Sequence, residues 1–486
     1  MDATPDTLTL VWEILKAAYA VSIGVILLII ILENRNPIRT ITWIVVLLTL
    51  PGIGILFYIF FGQKIRQRKR HKHKSLKNDL ELKERSKSGL STGANPHRND
   101  TVDEHIHTVL MLKRNSDALL TRNNTVDLIT EGREMLEMIL QAIEGAQSFI
   151  HIEYYIFADD EAGRRVADAL ERKADAGIEV RMLVDDVGSW ELPSAFFDEM
   201  KRHNVIIDSF LPVRFPKFTG HVNYRNHRKI VIVDGQVAFV GGMNMAQRYV
   251  DGGETFGHWH DTHLRIKGDA INFIQSVFAY DWYMMKREEL SEHKYFPRHH
   301  TSASGTAIQV ASSGPDAKWP AIMMGMFSII SRARHHVYIT TPYLMPGETI
   351  LTALKAAAMG GVDVRIIIPQ KSDSWIADHC SKSYVKELLE ANIRVYLYQD
   401  GFLHGKTLEA DRTAAIVGSA NMDFRSFEQN FELSAFIYDR DVAQRLFARF
   451  ESDFERAQLI TAKAWKHRPF MQRAKESFAR VLSPLL

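Results

Sequence analysis

Two histidines and two lysines stand in the same arrangement at two places in this chain. His227 is followed at the second position by Lys229, then at fixed intervals by Asp234, Gly241 and Asn244. His404, Lys406, Asp411, Gly418 and Asn421 repeat those five positions at the same spacing. Near neutral pH imidazole is both a nucleophile and a proton carrier. It can attack phosphorus to give a phosphohistidine, which splits one hard displacement into two easier ones. A second imidazole opposite can protonate the departing alkoxide and then deprotonate an incoming alcohol. Lys229 and Lys406 would neutralise the non-bridging oxygens as charge builds there. Asn244, Asn421 and Ser419 can donate hydrogen bonds to the same oxygens. Gly242 stands where the second copy has Ser419, so the halves are not chemically equal.

The elements that must position these groups can be read around them. Ile230–Val233 reads as a strand, Asp234-Gly235 as a hairpin turn and residues 236–240 as the returning strand. Gly241-Gly242 lets the backbone come close to a ligand. Residues i and i+2 of a strand share a face, so His227 with Lys229, and His404 with Lys406, can point into one cleft. Asp234 and Asp411 complete the two catalytic motifs. Their turn positions fit a hairpin-holding role better than direct proton work. The repeat extends beyond the motif: residues 152–157 parallel 339–344, and 177–184 parallel 361–368. Each reads as a buried parallel strand, and strands alternating with helices predict α/β units. A repeat inside one chain predicts two similar units, here with one active site assembled from both. Residues 187–220, aromatic and proline-bearing, read as a loop near the cleft mouth.

His-x-Lys-x4-Asp followed by Gly-x2-Asn, present twice, resembles the signature of the phospholipase D superfamily. The resemblance spans about residues 119 to 460. It implies two phospholipase D-like α/β units, 119–303 and 304–486, facing each other with pseudo-two-fold symmetry. It also implies a covalent phosphohistidine and no required metal or other cofactor. Glu432 stands where the family places an acid that orients a catalytic histidine. Asp261 takes that part in the first half.

A soluble phosphodiesterase needs no apolar leader, and this chain has one. Residues 8–32 are mostly apolar, interrupted by Glu13 and Lys16, and residues 40–62 carry no charge. Both are long enough to span a bilayer, which predicts a pair of transmembrane helices within residues 1–63. A signal peptide fits badly, because Asp2 and Asp6 replace the usual basic start and a second apolar segment follows. Pro51-Gly52-Ile53-Gly54 could instead bend the second segment into a re-entrant hairpin. Residues 64–77 are strongly basic, which predicts a cytoplasmic catalytic body lying against anionic headgroups. Arg35 and Arg39 argue against that orientation. The polar stretch 78–118 reads as a linker, making 64–118 a basic juxtamembrane segment and linker. Residues 462–486 mix basic side chains with Trp465, Phe470, Phe478 and Leu482, the composition of an interfacial helix. The alternative is a helix packed on its own domain with solvated charges.

The net charge of +2 creates no global field that selects nucleic acid, and no nucleotide-binding motif is present. Gly401 to Thr407 is one residue short of a phosphate-binding loop. The single cysteine, Cys380, allows no internal disulfide and fits a reducing cytoplasm. His258, His260 and His263 could suggest a metal, but their segment aligns with the strand near Asn430 in the other half. At whole-chain level the sequence is similar to bacterial cardiolipin synthases of the same superfamily. The residues that carry this are Asn36-Pro37, Arg225-Asn226-His227-Arg228-Lys229, Thr340-Thr341-Pro342-Tyr343, Asn421-Met422-Asp423-Phe424-Arg425-Ser426 and the ending Ser483-Pro484-Leu485-Leu486. The resemblance implies transfer of a phosphatidyl group between two phosphatidylglycerols at the bacterial cytoplasmic membrane. Cardiolipin and glycerol would be the products, with no nucleotide and no nucleic acid involved. The rival within the superfamily is hydrolysis to phosphatidic acid. Tyr154, Tyr155 and Tyr343 are candidates for a lining that excludes water.

Overall fold

The structure, a computed structural model, describes residues 5–32, 37–50, 52, 54–55, 58, 100–213, 223–253, 257–299 and 305–482. The N-terminal unit begins with the helix Pro5–Leu32, whose Trp12–Leu32 part is long and apolar enough to cross a membrane. Its two charges, Lys16 and Glu13, pair at 2.8 Å. The second apolar segment gives a shorter helix, Pro37–Thr49. Its 13 residues reach roughly 20 Å at 1.5 Å per residue. A bilayer core is about 30 Å thick, so among the described residues one helix, not two, has spanning length. The cause is local: Gly52 takes φ +77°, a left-handed conformation that stops a helix, and its N–H donates to Tyr19 Oη at 3.0 Å. Ile30, Leu47 and Tyr58 form a small core there. The basic run 64–77 and the tail 483–486 lie outside the described residues.

The last part of the predicted linker is folded. Asp100–Glu104 and Ile106–Ser116 are helices, and Val102, Val109 and Leu112 are buried in the core of the second half. Gln309 Nε2 donates to the carbonyls of Val109 (3.0 Å) and Ala118 (2.8 Å), which locks this segment down. Three apolar side chains were enough, and the polar composition around them hid their shared face.

The strands are β1 (Leu120–Thr121), β2 (Asn124–Ile129), β3 (Phe149–Tyr154), β4 (Glu179–Asp185), β5 (Ile206–Phe210), β6 (Ile230–Val233), β7 (Val237–Gly241), β8 (Trp259–His260) and β9 (His263–Gly268) in the first half. The second half adds β10 (Ala307–Ser313), β11 (His336–Thr340), β12 (Asp363–Pro369), β13 (Arg394–Tyr398), β14 (Phe402–Leu403), β15 (Thr407–Ala410), β16 (Ala414–Gly418), β17 (Glu432–Tyr438) and β18 (Ala457–Leu459). The first sheet runs β2-β9-β7-β6-β3-β4-β5. The second runs β10-β17-β16-β15-β11-β12-β13, flanked by β1 and β18. Strand for strand the order is the same, and so is the direction of each pairing: β3–β4 and β11–β12 are parallel, β6–β7 and β15–β16 antiparallel. The fold is therefore α/β with two repeated units. Every position of β3, β6 and β16 is buried, as expected of strands covered on both faces.

Alternation sorts each strand between two cores. Ile230 and Ile232 join a core shared by both sheets, with Val417, Leu433 and Ile437 from the second half. Val231 and Val233 join the outer core of the first half. This shared layer holds the halves face to face. The stretch predicted as a loop at 187–220 contains a helix, Ser194–Arg202, and the edge strand β5. Phe196 and Met200 are buried one helical turn apart, and Ile207 and Phe210 are buried on opposite faces of β5, patterns which their aromatic and proline-rich neighbours obscured. Residues 214–222 lie outside the described residues.

Candidate active site

Each motif is built against the opposite half. The Phe431 N–H donates to the Arg225 carbonyl and the His227 N–H to the Phe431 carbonyl, both at 2.9 Å. In the mirrored place β14 runs parallel to β8, and the His404 N–H donates to the His260 carbonyl at 2.7 Å. Backbone pairing thus sets each histidine beside the acid that follows the partner segment. His227 Nδ1 lies 3.0 and 3.1 Å from the two carboxylate oxygens of Glu432. His404 Nδ1 lies 2.7 Å from Asp261 Oδ2. The acid of the first half serves the histidine of the second, and the reverse, so Asp261 does not act within its own half.

A carboxylate at Nδ1 leaves Nε2 as the free base of each ring. Lys406 Nζ is also 2.9 Å from His404 Nδ1. One nitrogen cannot donate to Asp261 and accept from Lys406 together. The shorter charge-assisted contact to Asp261 prevails, and Lys406 is held by the His404 carbonyl. Lys229 Nζ donates to the His227 carbonyl at 2.7 Å and lies 5.3 Å from the centre of the Tyr155 ring. Tyr155 packs edge-on against His227, and Tyr249 against His404.

Burial, helped by the nearby lysines, lowers His227 and His404 to about 4, against the pull of their carboxylates. Both rings are then neutral at pH 7, as a nucleophile requires. Burial alone would raise Glu432 and Asp261. His227 and Lys229 outweigh it for Glu432, Lys406 and His404 for Asp261, and both carboxyls stay below their usual values. Burial lowers Lys406 to about 8 and Lys229 well below the usual lysine range. Lysine charge stabilises the transition state and is lost as pH rises. Hence kcat/KM on a water-soluble diester should fall as pH rises through about 8. A bound phosphodiester anion favours the charged lysine, so the matching limb of kcat should lie at higher pH. Paired pH profiles of kcat and kcat/KM check this; coincident limbs would contradict it.

Ser419 and Asn244 hold other groups of the site in place. Ser419 donates to Glu432 and accepts the Leu433 N–H at 3.0 Å. The carboxamide of Asn244 is used at both ends: it accepts the Ile156 N–H at 3.0 Å and donates to Tyr249 Oη at 2.6 Å. Asn421 keeps a buried side-chain oxygen with no hydrogen-bond partner. At Gly242 a Cβ would come 2.1 Å from Asp261 Oδ1. The first half therefore couples a glycine to the shorter acid, and the second couples Ser419 to the longer one.

Asp234 and Asp411 stand apart from the histidines, seven residues further along, a span of at most roughly 23 Å in extended chain. Both have positive φ, near 52° and 54°. Asp234 accepts the N–H groups of Gln147 and Ser148 (2.8 Å each) and Phe149 (2.9 Å). Asp411 accepts those of Arg334 (2.7 Å), His335 (2.8 Å) and His336 (2.9 Å). Each fixes the start of β3 or β11, which removes both from the catalytic set named by motif alone. Asp234→Ala or Asp411→Ala should cost about 2–4 kcal/mol of stability, since three N–H groups lose a charged acceptor. Thermal unfolding measures the loss. Turnover of the folded fraction at low temperature should stay within a few-fold of the parent.

Other residues came together that sequence spacing did not flag. Arg228 binds Asp281 and donates to the Glu432 carbonyl at 3.2 Å and the Ser313 carbonyl at 3.3 Å, tying the first motif to β17 and β10. Glu153 accepts from Asn226, and burial beside Asp281 pushes its carboxyl well above the usual range. Tyr343 donates to Asp373 at 2.8 Å, and that carboxylate acts on His404 and Lys406. Tyr154 is plain core. The three histidines of the suspected metal cluster diverge: His258 meets Glu131, His260 meets Asp453 and the His263 ring has no hydrogen-bond partner.

Comparison with known proteins agrees with this geometry. A family model described as cardiolipin synthase, PLD-like domain, matches residues 139–282 and 326–454. A phospholipase D-nuclease N-terminal model matches residues 20–63. A cardiolipin synthase of Geobacillus kaustophilus (strain HTA426) is 39% identical, the match covering 96% of this chain and 92% of that protein. Cardiolipin synthase 1 of Staphylococcus aureus (strain MRSA252) is 38% identical over 99% of each chain. The crystal structure of a phosphatidylserine synthase from Haemophilus influenzae Rd KW20 shares the fold, with a TM-score of 0.58 at 14% identity, covering 78% of this chain and 99% of that one. Two repeated motifs, crossed acids and near full-length relatives converge: the chain belongs to the cardiolipin synthase family of phospholipase D-like proteins.

Proposed function

We propose that this chain is a cardiolipin synthase, a membrane-bound phosphatidyltransferase that joins two phosphatidylglycerols and releases glycerol. The observation that carries it is a pair of neutral imidazoles, each gripped at Nδ1 by the other half's carboxylate, with two buried lysines beside them. That arrangement suits exchange of one phosphodiester for another, which needs no activated donor. His227 Nε2 forms the bond to phosphorus as the bond to the departing glycerol oxygen breaks. His404, as an imidazolium favoured by the bound anion, gives that oxygen its proton. His404 then takes the proton of a glycerol hydroxyl on the second lipid, whose oxygen displaces His227 from phosphorus. Glu432 grips His227 with both oxygens and is itself fixed by Ser419, which supports His227 as the nucleophile. Lys229 and Lys406 complete the phosphate surroundings.

The two catalytic units are taken as 119–303 and 304–486, on their matched strand orders. The body lies on the cytoplasmic side, on the strength of the basic run 64–77. Purified protein in vesicles of phosphatidylglycerol, without nucleotide or added metal, tests the reaction. Cardiolipin and glycerol should appear in equal amounts. Phosphatidic acid with little cardiolipin would mean that water is the preferred acceptor and that the chain is a phospholipase.

A further inference from the structure

The C-terminal helix Phe470–Leu482 has two unlike faces. One is docked: Glu476 and Ala479 are buried, Arg480 donates to Glu387 at 2.8 Å and stacks over Tyr384, and Arg468 binds Glu476. The opposite face carries Phe470, Met471, Phe478 and Val481, which are 74%, 64%, 63% and 74% exposed. At about 100° per residue these four positions fall within one arc of roughly 100°, a stripe along the helix. Arg473 and Lys475 are exposed beside it, and Lys463 and Lys466 precede it. The one acid between residues 462 and 482, Glu476, lies on the docked face. A helix that owes its place to salt bridges on one side has no need of four exposed apolar residues on the other, and a contiguous apolar strip on a surface marks something that covers it.

The helix beneath the stripe leads toward the cleft. The helix packs along Trp375–Glu390. His379 stacks against Trp375, which is 54% exposed at the head of that helix. Two residues earlier Asp373 receives the Tyr343 hydroxyl and acts on His404. The first half has a counterpart. Trp190, 79% exposed, lies between β4 and the helix that follows it, and Trp375 opens the helix that follows β12. Its neighbour Ser189 donates to the carbonyl of Tyr155, whose ring packs on His227. An exposed tryptophan therefore follows the matched strand in each half, one or two residues after a side chain that supports the surroundings of a catalytic histidine.

We propose that the stripe on Phe470–Leu482, with Trp375 and Trp190, is a docking surface for an anionic bilayer, seating the cleft mouth at the headgroup plane. The occupant follows from chemistry: aliphatic and aromatic side chains enter the acyl boundary, tryptophan prefers the interface, and the flanking lysines and arginines meet lipid phosphates. The surface does not depend on which alcohol accepts the phosphatidyl group.

The test uses the full chain reconstituted in vesicles of phosphatidylglycerol and phosphatidylcholine. Phe478→Cys carries an environment-sensitive fluorophore; Cys380 is buried, so the introduced thiol is the reactive one. Asp168→Cys, at an exposed position on the helix Glu161–Asp175, is the comparison. The probe at 478 should emit at shorter wavelength and be quenched several-fold more by nitroxide-bearing lipids than the probe at 168. Equal, water-like emission at both positions would overturn the proposal. So would shielding at 478 that lipid nitroxides fail to quench, since another protein surface would then be the cover. A second variant, Phe470→Glu with Phe478→Glu, should lower kcat/KM on vesicles about tenfold or more while sparing a soluble short-chain diester. Equal loss on both substrates would assign the helix to the integrity of the fold and count against docking.

Discussion

His227→Ala removes turnover by about 10⁴-fold or more, and His404→Ala by about 10²–10⁴-fold, because one supplies the bond to phosphorus and the other a proton. The two variants part company on an activated diester whose nitrophenolate leaving group needs no proton. His404→Ala should still release one equivalent of nitrophenolate per active site and then stall, holding an acid-labile phosphohistidine at residue 227. His227→Ala should give no burst and no adduct. Rapid-quench kinetics and mapping of the labelled peptide read both results. A burst seen in His227→Ala and absent in His404→Ala would exchange the two roles. Near-normal turnover in either variant would sink the two-histidine scheme. The physical ground is the state of the rings: burial holds both near pKa 4, so a neutral Nε2 is ready in each before substrate arrives.

Much of this is legible in the amino-acid sequence alone. The duplicated motif identified the histidines and lysines because catalysis constrains both residue type and spacing at once, and β6–β7 and β15–β16 form where the hairpin turns required them. The motif was less informative about what each member does. Asp234 and Asp411 are as invariant in spacing as the histidines, yet they bind backbone N–H groups at the far end of the strand. Spacing alone cannot separate a reacting group from one that holds the strand in place. Long-range pairing was the other blind spot. The buried face of Ile106–Ser116 lies under a polar sequence, and its partner β10 is almost 200 residues away. The crossing of the acids belongs to the same class. Nothing local to Asp261 says that its histidine is His404, because the pairing is made by β8 against β14, between halves.

That crossing has a measurable signature. Glu432→Gln keeps the shape beside His227 but removes the charge that holds Nδ1–H, and the cost should be about 10³–10⁴-fold in turnover. Asp261→Asn should cost a similar factor, yet the two losses fall on different steps. Glu432 serves the nucleophile, so Glu432→Gln should suppress the nitrophenolate burst itself. Asp261 serves the proton carrier, so Asp261→Asn should leave the burst rate on the activated diester close to that of the parent and slow only the turnover that follows. Pairing within each half would give the opposite pattern, with Asp261→Asn losing the burst. The comparison is robust to damage in the fold, because each variant is the other's control: both acids are fully buried in the same shared region, and a structural collapse would remove both phases in both variants. An enzyme wired this way cannot run on either half alone. Each unit brings a nucleophile or a proton carrier to the cleft but borrows from its neighbour the carboxylate that makes the ring usable, so the duplication is held together by the chemistry as well as by the shared core.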